Sequence, residues 1–193
     1  GYFMQEKNKG QKEKGLQEYG IIYVSGTINE STAESVCKEI IECNIKAEVN
    51  QIQVIINSPG GSCPAGFSVI DIIEWSRIPI YTTGIGMIAS MALLICMTGG
   101  KGHRVITPRT SILCHRYSAF SFGNHSQLIA GRKEQDLEHE RIINHYLSYS
   151  GIKSREELER FLLKDVDTWL MPEEAIQYGL ADVIEPLGKN RTA

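Results

Sequence analysis

Ser90 is the side chain of this sequence best placed to act as a nucleophile. It ends the segment GIGMIAS, residues 84–90, after an apolar stretch at 79–83 that predicts a buried strand and before one at 91–97 that predicts a core helix. The glycines of the segment predict a tight turn. A helix start offers unpaired N–H groups and a positive dipole end, which suit the oxyanion formed when a serine attacks a carbonyl. The alternative is an ordinary helix-capping serine, which the position taken alone favours.

Two further segments could complete such a site. The apolar strand predicted at 51–56 ends in the turn NSPGGS at 57–62, whose paired glycines, Gly60 and Gly61, can leave backbone N–H groups exposed for a second oxyanion contact. The apolar run at 110–114 ends in His115, where a strand typically delivers a side chain to a cleft. The remaining histidines lie in polar or helical surroundings and are interpreted as structural or solvated: His103, His125, His139 and His145.

A general base needs an acceptor that fixes its tautomer and stabilises the imidazolium, and Asp167 is the candidate for that role. It lies shortly before Pro172, which predicts the start of a helix. The alternative is a loop aspartate that caps this helix. Spacing along the sequence does not separate the two interpretations.

Taken together, these motifs resemble the proteolytic subunit of the Clp protease, the ClpP family. The resemblance is carried in chain order, over about residues 19 to 185, by NSPGG at 57–61, ASM at 89–91, His115, Asp167 and EAIQYGLAD at 174–182. It implies that Ser90 is the nucleophile, His115 the general base and Asp167 its orienting partner, with the N–H groups of Gly61 and Met91 forming the oxyanion hole. It implies no metal and no organic cofactor. The order Ser, His, Asp also differs from that of chymotrypsin, subtilisin and the α/β-hydrolases, which makes those folds less expected.

The order of predicted elements indicates an α/β fold. A strand at 19–25, a helix at 31–43 and a second helix at 65–75 begin an alternation that predicts right-handed βαβ units and a largely parallel sheet. The family resemblance implies a crotonase/ClpP-like spiral of ββα units with a protruding long handle helix. Residues 1–18 are polar and lysine-rich, which predicts a mobile segment before a single peptidase domain at 19–193.

A long helix is predicted at 126–150. Its apolar residues form an interrupted stripe, which by periodicity alone favours a plain amphipathic core helix: Leu128, Leu137, Ile142, Ile143, Tyr146 and Leu147. The resemblance implies instead that this helix stacks two rings of seven subunits into a closed homo-oligomeric chamber, a tetradecamer with its active sites inside. It further implies that residues 117–124 form a strand that pairs between the rings and lies against the bound peptide.

Composition limits the other classes of function. The 193-residue chain has a formal net charge of −3, so no general attraction to nucleic acid or to an anionic membrane is expected. Its five cysteines are odd in number and lack a CxxC pair, which indicates reduced core residues and a reducing cytoplasm. No apolar run approaches the roughly 20 residues of a membrane span, and no signal-peptide pattern is seen. We therefore expect a soluble cytoplasmic protein.

The sequence departs from the ClpP pattern at several positions. Arg116 and Tyr117 stand where the family has glutamine and proline, and Val166 replaces an arginine that pairs across the ring interface. The positions that match the family's apolar docking pocket for an ATPase are Gln53, Ile55, Thr83, Ile85, Val105 and Glu185. Three of these six are polar or charged, namely Gln53, Thr83 and Glu185. These departures are typical of a divergent branch, such as a viral or prophage-encoded one. We expect weak stimulation by a standard Clp-type ATPase unfoldase, because an apolar docking loop needs an apolar pocket.

Two alternative functions remain open. A crotonase-like acyl-CoA enzyme also uses two backbone N–H groups as an oxyanion hole but needs no Ser-His-Asp set. An inactive paralogue would enter mixed rings as a scaffold with its triad residues misaligned. The presence of all three candidate residues argues mildly against the scaffold.

Overall fold

A largely parallel sheet forms the centre of the molecule in a computed structural model that describes residues 13–116, 124–186 and 188. Seven strands lie within these described residues: β1 (Ile21–Ser25), β2 (Ile52–Ser58), β3 (Ile80–Ala89), β4 (Arg104–Ile106), β5 (Ser111–Cys114), β6 (Thr168–Leu170) and β7 (Val183–Ile184). They run in the order β1-β2-β3-β4-β7, and β5 pairs with β3 and β6. Only the β5–β6 pairing is antiparallel among the described strands.

Helices alternate with these strands, which confirms the predicted α/β class. The described residues hold six: α1 (Glu30–Lys46), α2 (Cys63–Trp75), α3 (Met91–Met97), α4 (His125–Tyr149), α5 (Arg155–Phe161) and α6 (Pro172–Gln177). Side chains that accept a backbone N–H begin α1 at Asn29 and α2 at Ser62. A reciprocal pair of bonds between Asn124 and Gln127 begins α4.

The first strand starts later than predicted. Residues Leu16–Tyr19 form a turn of 3-10 helix that ends at Gly20, whose left-handed conformation stops the helix, and β1 begins at Ile21. Residues 1–12 lie outside the described part of the chain. The mobile segment at 1–18 and the domain at 19–193 therefore stay predictions.

The predicted tight turn before Ser90 is wrong, because β3 continues through Gly84 and Gly86 to Ala89. The glycines instead accommodate a bulge: Ile56 pairs with Gly84 but Ser58 pairs with Ile88, so β3 carries two extra residues. Gly86 has a φ of 63°, and a side chain there would collide with the carboxamide of Asn57.

The bulge redirects β3 from one partner strand to another. Before it, residues 82–84 pair with β4, and after it residues 87–89 pair with β5. The Asn57 side chain holds the bulge in place by accepting the N–H of Met87 at 3.2 Å. The end of β3, which leads into Ser90, therefore lies beside β5, which leads into His115.

The α3 helix is enclosed by the core on all sides. Each of its seven residues, Met91 to Met97, is no more than 2% exposed. Burying one apolar side chain of this size contributes about 1.5 to 3 kcal/mol. This helix is therefore a rigid base for the residue that precedes it.

Only the C-terminal half of α4 contributes to the core. Ile142, Ile143 and Tyr146 are buried, whereas Leu128 and Leu137 are both 41% exposed. The predicted apolar stripe is thus confirmed for the second half of the helix. The first half carries apolar side chains that the described residues leave exposed.

A buried ion pair joins the last segments of the fold to its centre. The Arg104 guanidinium donates to both carboxylate oxygens of Asp182, each at 2.8 Å. It also donates to three backbone carbonyls, those of Met97, Tyr149 and Gly179. Burial tends to raise the pKa of Asp182, but the bonds from Arg104 and from the N–H of Gly102 outweigh it and hold that pKa below its usual value.

Candidate active site

Ser90 occupies a strained junction between β3 and α3. Its φ of 59° and ψ of −122° are unusual for a residue with a side chain, and such conformations cost on the order of 1 to 3 kcal/mol. Although it holds the capping position of α3, its hydroxyl makes no capping hydrogen bond. The Ser90 N–H donates to Leu113 O of β5 at 3.0 Å, which fixes the junction to that strand. A merely capping serine would use its hydroxyl for the helix, so this geometry favours a chemical role.

The Gly60–Gly61 turn lies directly against Ser90. A Cβ atom on Gly60 would come within 2.7 Å of Ala89 O and 2.9 Å of Ser90 Cβ, so only glycine fits this approach. Two bonds of 2.9 Å hold the turn to the segment before α1: Ile28 N–H donates to Gly60 O, and Ser62 N–H donates to Ile28 O. The turn and Ser90 are therefore direct neighbours in the fold, as the candidate site requires.

Two backbone N–H groups beside the Ser90 junction, one in the turn and one at the start of α3, are candidates for binding an oxyanion. Among the described residues, neither the N–H of Gly61 nor that of Met91 donates a hydrogen bond to the protein. The Met91 N–H is the first of α3, so the helix has no carbonyl one turn earlier to accept its hydrogen bond. The arrangement can stabilise negative charge on an oxygen placed between the turn and the helix.

His115 follows β5 next to the Ser90 junction, and it is half-buried. Its Nδ1 lies 2.6 Å from Arg116 O, so the Nδ1–H donates to that carbonyl. Within the described residues His115 makes no hydrogen bond to Ser90 or to Asp167. With a proton on Nδ1, Nε2 is the ring nitrogen left to accept the serine proton, which is the tautomer that a general base requires.

Asp167 and His115 lie one residue beyond the end of the β5–β6 pairing. The last paired residues are Cys114, which precedes His115, and Thr168, which follows Asp167. Asp167 is exposed in this arrangement and does not hold the histidine.

Arg116 connects the end of β5 to the loop before β6. No motif in the sequence indicated this contact. Its Nε donates to Leu163 O at 2.6 Å, and its Nη1 lies 3.1 Å from Asp165 Oδ1. The same residue supplies the carbonyl that binds His115. Its partners are 47 and 49 positions away in sequence, so no local pattern could have indicated them.

The six predicted docking positions are all half-buried, and the strand pairings place Gln53, Ile55, Thr83 and Val105 on one outward face of the sheet. Strand register aligns three of them in a row, with Ile55 beside Thr83 and Thr83 beside Val105. Gln53 Nε2 donates to Thr83 Oγ1 at 2.6 Å. Two of the three polar members thus bind each other.

The inter-ring strand was predicted at 117–124. Residues 117–123 lie outside the described residues, and Asn124 caps the start of α4. No group of three or more His, Cys, Asp or Glu side chains among the described residues is arranged to hold a metal ion. None of the helices described is both long and apolar enough to cross a membrane. All five cysteines are free thiols, and four of them are buried.

The fold and the residues around Ser90 define an α/β protein of the ClpP/crotonase-like class. The chain belongs to the Clp protease family, whose family model matches residues 5–186. It is 28% identical to the ATP-dependent Clp protease proteolytic subunit of Deinococcus radiodurans, over 98% of this chain and 94% of that protein. It is 28% identical to proteolytic subunit 2 of Treponema denticola, over 97% and 92%, and 31% identical to proteolytic subunit 2 of Nocardia farcinica, over 84% and 78%. These identities make it a divergent member, and the family supports a serine peptidase.

Proposed function

We propose that this protein is a serine endopeptidase that cleaves peptide bonds through an acyl-enzyme. The observation that carries the proposal is the strained Ser90, whose hydroxyl is not used for capping and whose junction lies directly against the Gly60–Gly61 turn. Membership of the Clp protease family supports the same reaction.

In the proposed reaction, Ser90 Oγ attacks the carbonyl carbon of the peptide bond while its proton passes to His115 Nε2. The N–H groups of Gly61 and Met91 hold the oxyanion of the tetrahedral intermediate. Collapse of this intermediate breaks the C–N bond, and the leaving amine takes the proton from His115. Water then attacks the acyl-enzyme by the same steps and releases the free acid and Ser90.

Asp167 is the proposed partner of the imidazolium. Arg116 O holds the correct His115 tautomer, but a neutral carbonyl stabilises a positive ring far less than a carboxylate does. Productive chemistry therefore requires His115 to leave Arg116 O and donate its Nδ1–H to Asp167. We infer that substrate binding or assembly of the subunits favours this rotation.

Covalent labelling tests the proposed class. A fluorophosphonate should label the wild-type protein once per chain, at Ser90, and acyl-CoA should not bind. Tight acyl-CoA binding without labelling would instead support the crotonase-like alternative. Each result is read by mass spectrometry of the intact protein.

A scaffold subunit is the second candidate, and one observation favours it. His115 is bonded to Arg116 O, and Asp167 is exposed and makes no hydrogen bond to it among the described residues. A scaffold predicts stable assemblies that remain unlabelled and hydrolyse no peptide under any condition. The free N–H groups and the strained serine argue for the peptidase.

We expect the isolated chain to form rings of seven that pair through α4, because the first half of this helix leaves Leu128 and Ile129 exposed. The double variant Leu128→Ser, Ile129→Ser should shift the particles to a smaller size, while Lys133→Ser on the same helix should not.

Val166 supplies no ion pair, so the pairing of the rings should depend little on salt concentration. Analytical ultracentrifugation at micromolar concentration measures this, and a monodisperse wild-type monomer would contradict it.

The proposed ATPase partner would dock on the outward sheet face that carries Gln53, Thr83 and Glu185. Burying an apolar loop side chain against these polar groups is unfavourable, even with the bond between Gln53 and Thr83. The partner is therefore a Clp-type unfoldase with a docking segment more polar than usual. A standard unfoldase would stimulate the peptidase weakly.

A further inference from the structure

The end of β2 fixes the turn that carries Gly61. Ser58, the last residue of this strand, is only 1% exposed, and its hydroxyl accepts the N–H of Gly60 at 3.0 Å. This bond occupies the Gly60 N–H and joins the turn to the end of β2. The position of Ser90 relative to the turn therefore depends on how far β3 has advanced along β2 where β3 ends.

The bulge of β3 brings Ser90 beside this turn. Beyond the bulge, Ser58 pairs with Ile88. Gly60 and Ser90 each follow their paired residue by two positions, so the turn and the serine lie at the same height along the strands. The close approach agrees with this register, because a Cβ atom on Gly60 would come within 2.9 Å of Ser90 Cβ.

A regular strand pairing would separate the turn from the serine. Before the bulge, Ile56 pairs with Gly84. Continued without the two extra residues, this pairing would place Ser58 opposite Gly86. Parallel strands rise about 3.3 Å per residue, so Ser90 would lie about 6 to 7 Å beyond the turn. Oxyanion donors must lie about 2.7 to 3.1 Å from the oxyanion, so such a shift would remove the turn from the reaction.

One side chain of β2 holds the bulge in this register. Asn57 Oδ1 accepts the N–H of Met87, which lies within the bulge, at 3.2 Å. The preceding residue, Gly86, has a φ of 63°, and a Cβ atom there would lie 2.7 Å from the same Oδ1. The carboxamide of Asn57 thus contacts two successive residues of the bulge.

We propose that Asn57 is a positioning residue for peptide hydrolysis, which sets the register of β3 against β2 so that Ser90 meets the Gly60–Gly61 turn. This role depends on the proposed peptidase function of Ser90. The Oδ1 atom carries it, because the Met87 N–H needs an acceptor. A carboxylate at position 57 would keep that acceptor, whereas an apolar side chain of similar size would remove it.

The test compares Asn57→Leu with Asn57→Asp in the full-length protein. The rate of labelling by a fluorophosphonate reports the reactivity of Ser90, and the final labelled fraction reports how many chains are folded. We expect Asn57→Leu to reach the wild-type fraction at a rate roughly 10²-fold lower, since a misplacement of about 1 Å has an effect of this size. Its kcat should fall by a similar factor, with a smaller effect on KM. Asn57→Asp keeps the acceptor and should stay within about fivefold of the wild type.

Asn50→Leu is the matched control, because Asn50 is exposed in the bend before the other end of β2. It should be labelled at the wild-type rate. Gly86→Ala disturbs the same contact from β3 and should slow labelling as Asn57→Leu does. A wild-type rate in Asn57→Leu or in Gly86→Ala would overturn the proposal. Equal losses in Asn57→Leu and Asn57→Asp would overturn it too, as would a smaller labelled fraction at an unchanged rate.

Hydrogen exchange distinguishes failure of this role from failure of the peptidase function. If the wild type is not labelled at all, the peptidase function fails, and exchange of the Met87 N–H still tests the register. We expect slow exchange of this N–H in the wild type and in Asn57→Asp, and roughly tenfold or more faster exchange in Asn57→Leu, because the bond that protects it is lost. Equal exchange in all three proteins would overturn the role of Asn57.

Discussion

Ser90→Ala should abolish peptide hydrolysis while leaving the fold and the assembly intact. Loss of a nucleophile of this kind typically lowers kcat by several orders of magnitude, on the order of 10⁶-fold. The same substitution tests the capping alternative. If the hydroxyl capped α3, its loss would cost about 0.5 to 2 kcal/mol of stability. Because the hydroxyl makes no capping bond, we expect the free energy of unfolding to change by less than about 0.5 kcal/mol.

The measurements are steady-state hydrolysis of a fluorogenic peptide and urea unfolding of the same preparations. Ser111→Ala is the matched control, because this serine is exposed at the start of β5 close to the same junction. Its activity should equal that of the wild type. Retained activity in Ser90→Ala, or loss of stability without loss of activity, would assign Ser90 to the helix cap.

Asp167→Asn should lower kcat by roughly 10³- to 10⁴-fold, with a smaller effect on KM. An amide in place of the carboxylate donates to the ring and favours the wrong His115 tautomer, and it removes the negative charge that stabilises the imidazolium. Because Asp167 is exposed and makes no bond to the resting His115, the substitution should leave stability nearly unchanged.

Asp165→Asn is the matched control for this effect. Asp165 is 92% exposed and pairs with Arg116, and exposed ion pairs of this kind contribute about 0 to 1 kcal/mol. We expect its kcat to fall by no more than about fivefold. The opposite ranking of the two variants would make Asp165 the partner of His115 and leave Asp167 as a loop residue.

Local signals in the sequence predicted most of the elements that position the candidate site. The apolar run before His115 predicted β5, and the apolar run after Ser90 predicted α3, because both runs are largely apolar and uninterrupted by charged residues. The course of β3 was not predictable in this way. Gly84 and Gly86 are typical of a turn, and only the pairing with β2 and the side chain of Asn57 convert them into a bulge.

The side-chain geometry of the site depends on contacts distant in sequence. No local pattern indicates that His115 donates to Arg116 O, or that Arg116 reaches Leu163 O. Elsewhere in the chain, a local signal did indicate the burial of Glu138, because it lies four and seven residues before Ile142 and His145 and so shares the buried stripe of α4. A charged residue on a core-facing stripe indicates an unusual environment that the stripe alone does not identify.

The ion pair of Arg104 and Asp182 has a consequence for biosynthesis. Its members are 78 positions apart, and at about 5 to 20 residues per second the carboxylate is made roughly 4 to 16 s after the guanidinium. During that interval Arg104 has no carboxylate partner, and β4 lacks the neighbour that β7 provides. We therefore expect chains that stall before Asp182 to stay incompletely folded and open to proteolysis, so that only finished chains are selected for assembly.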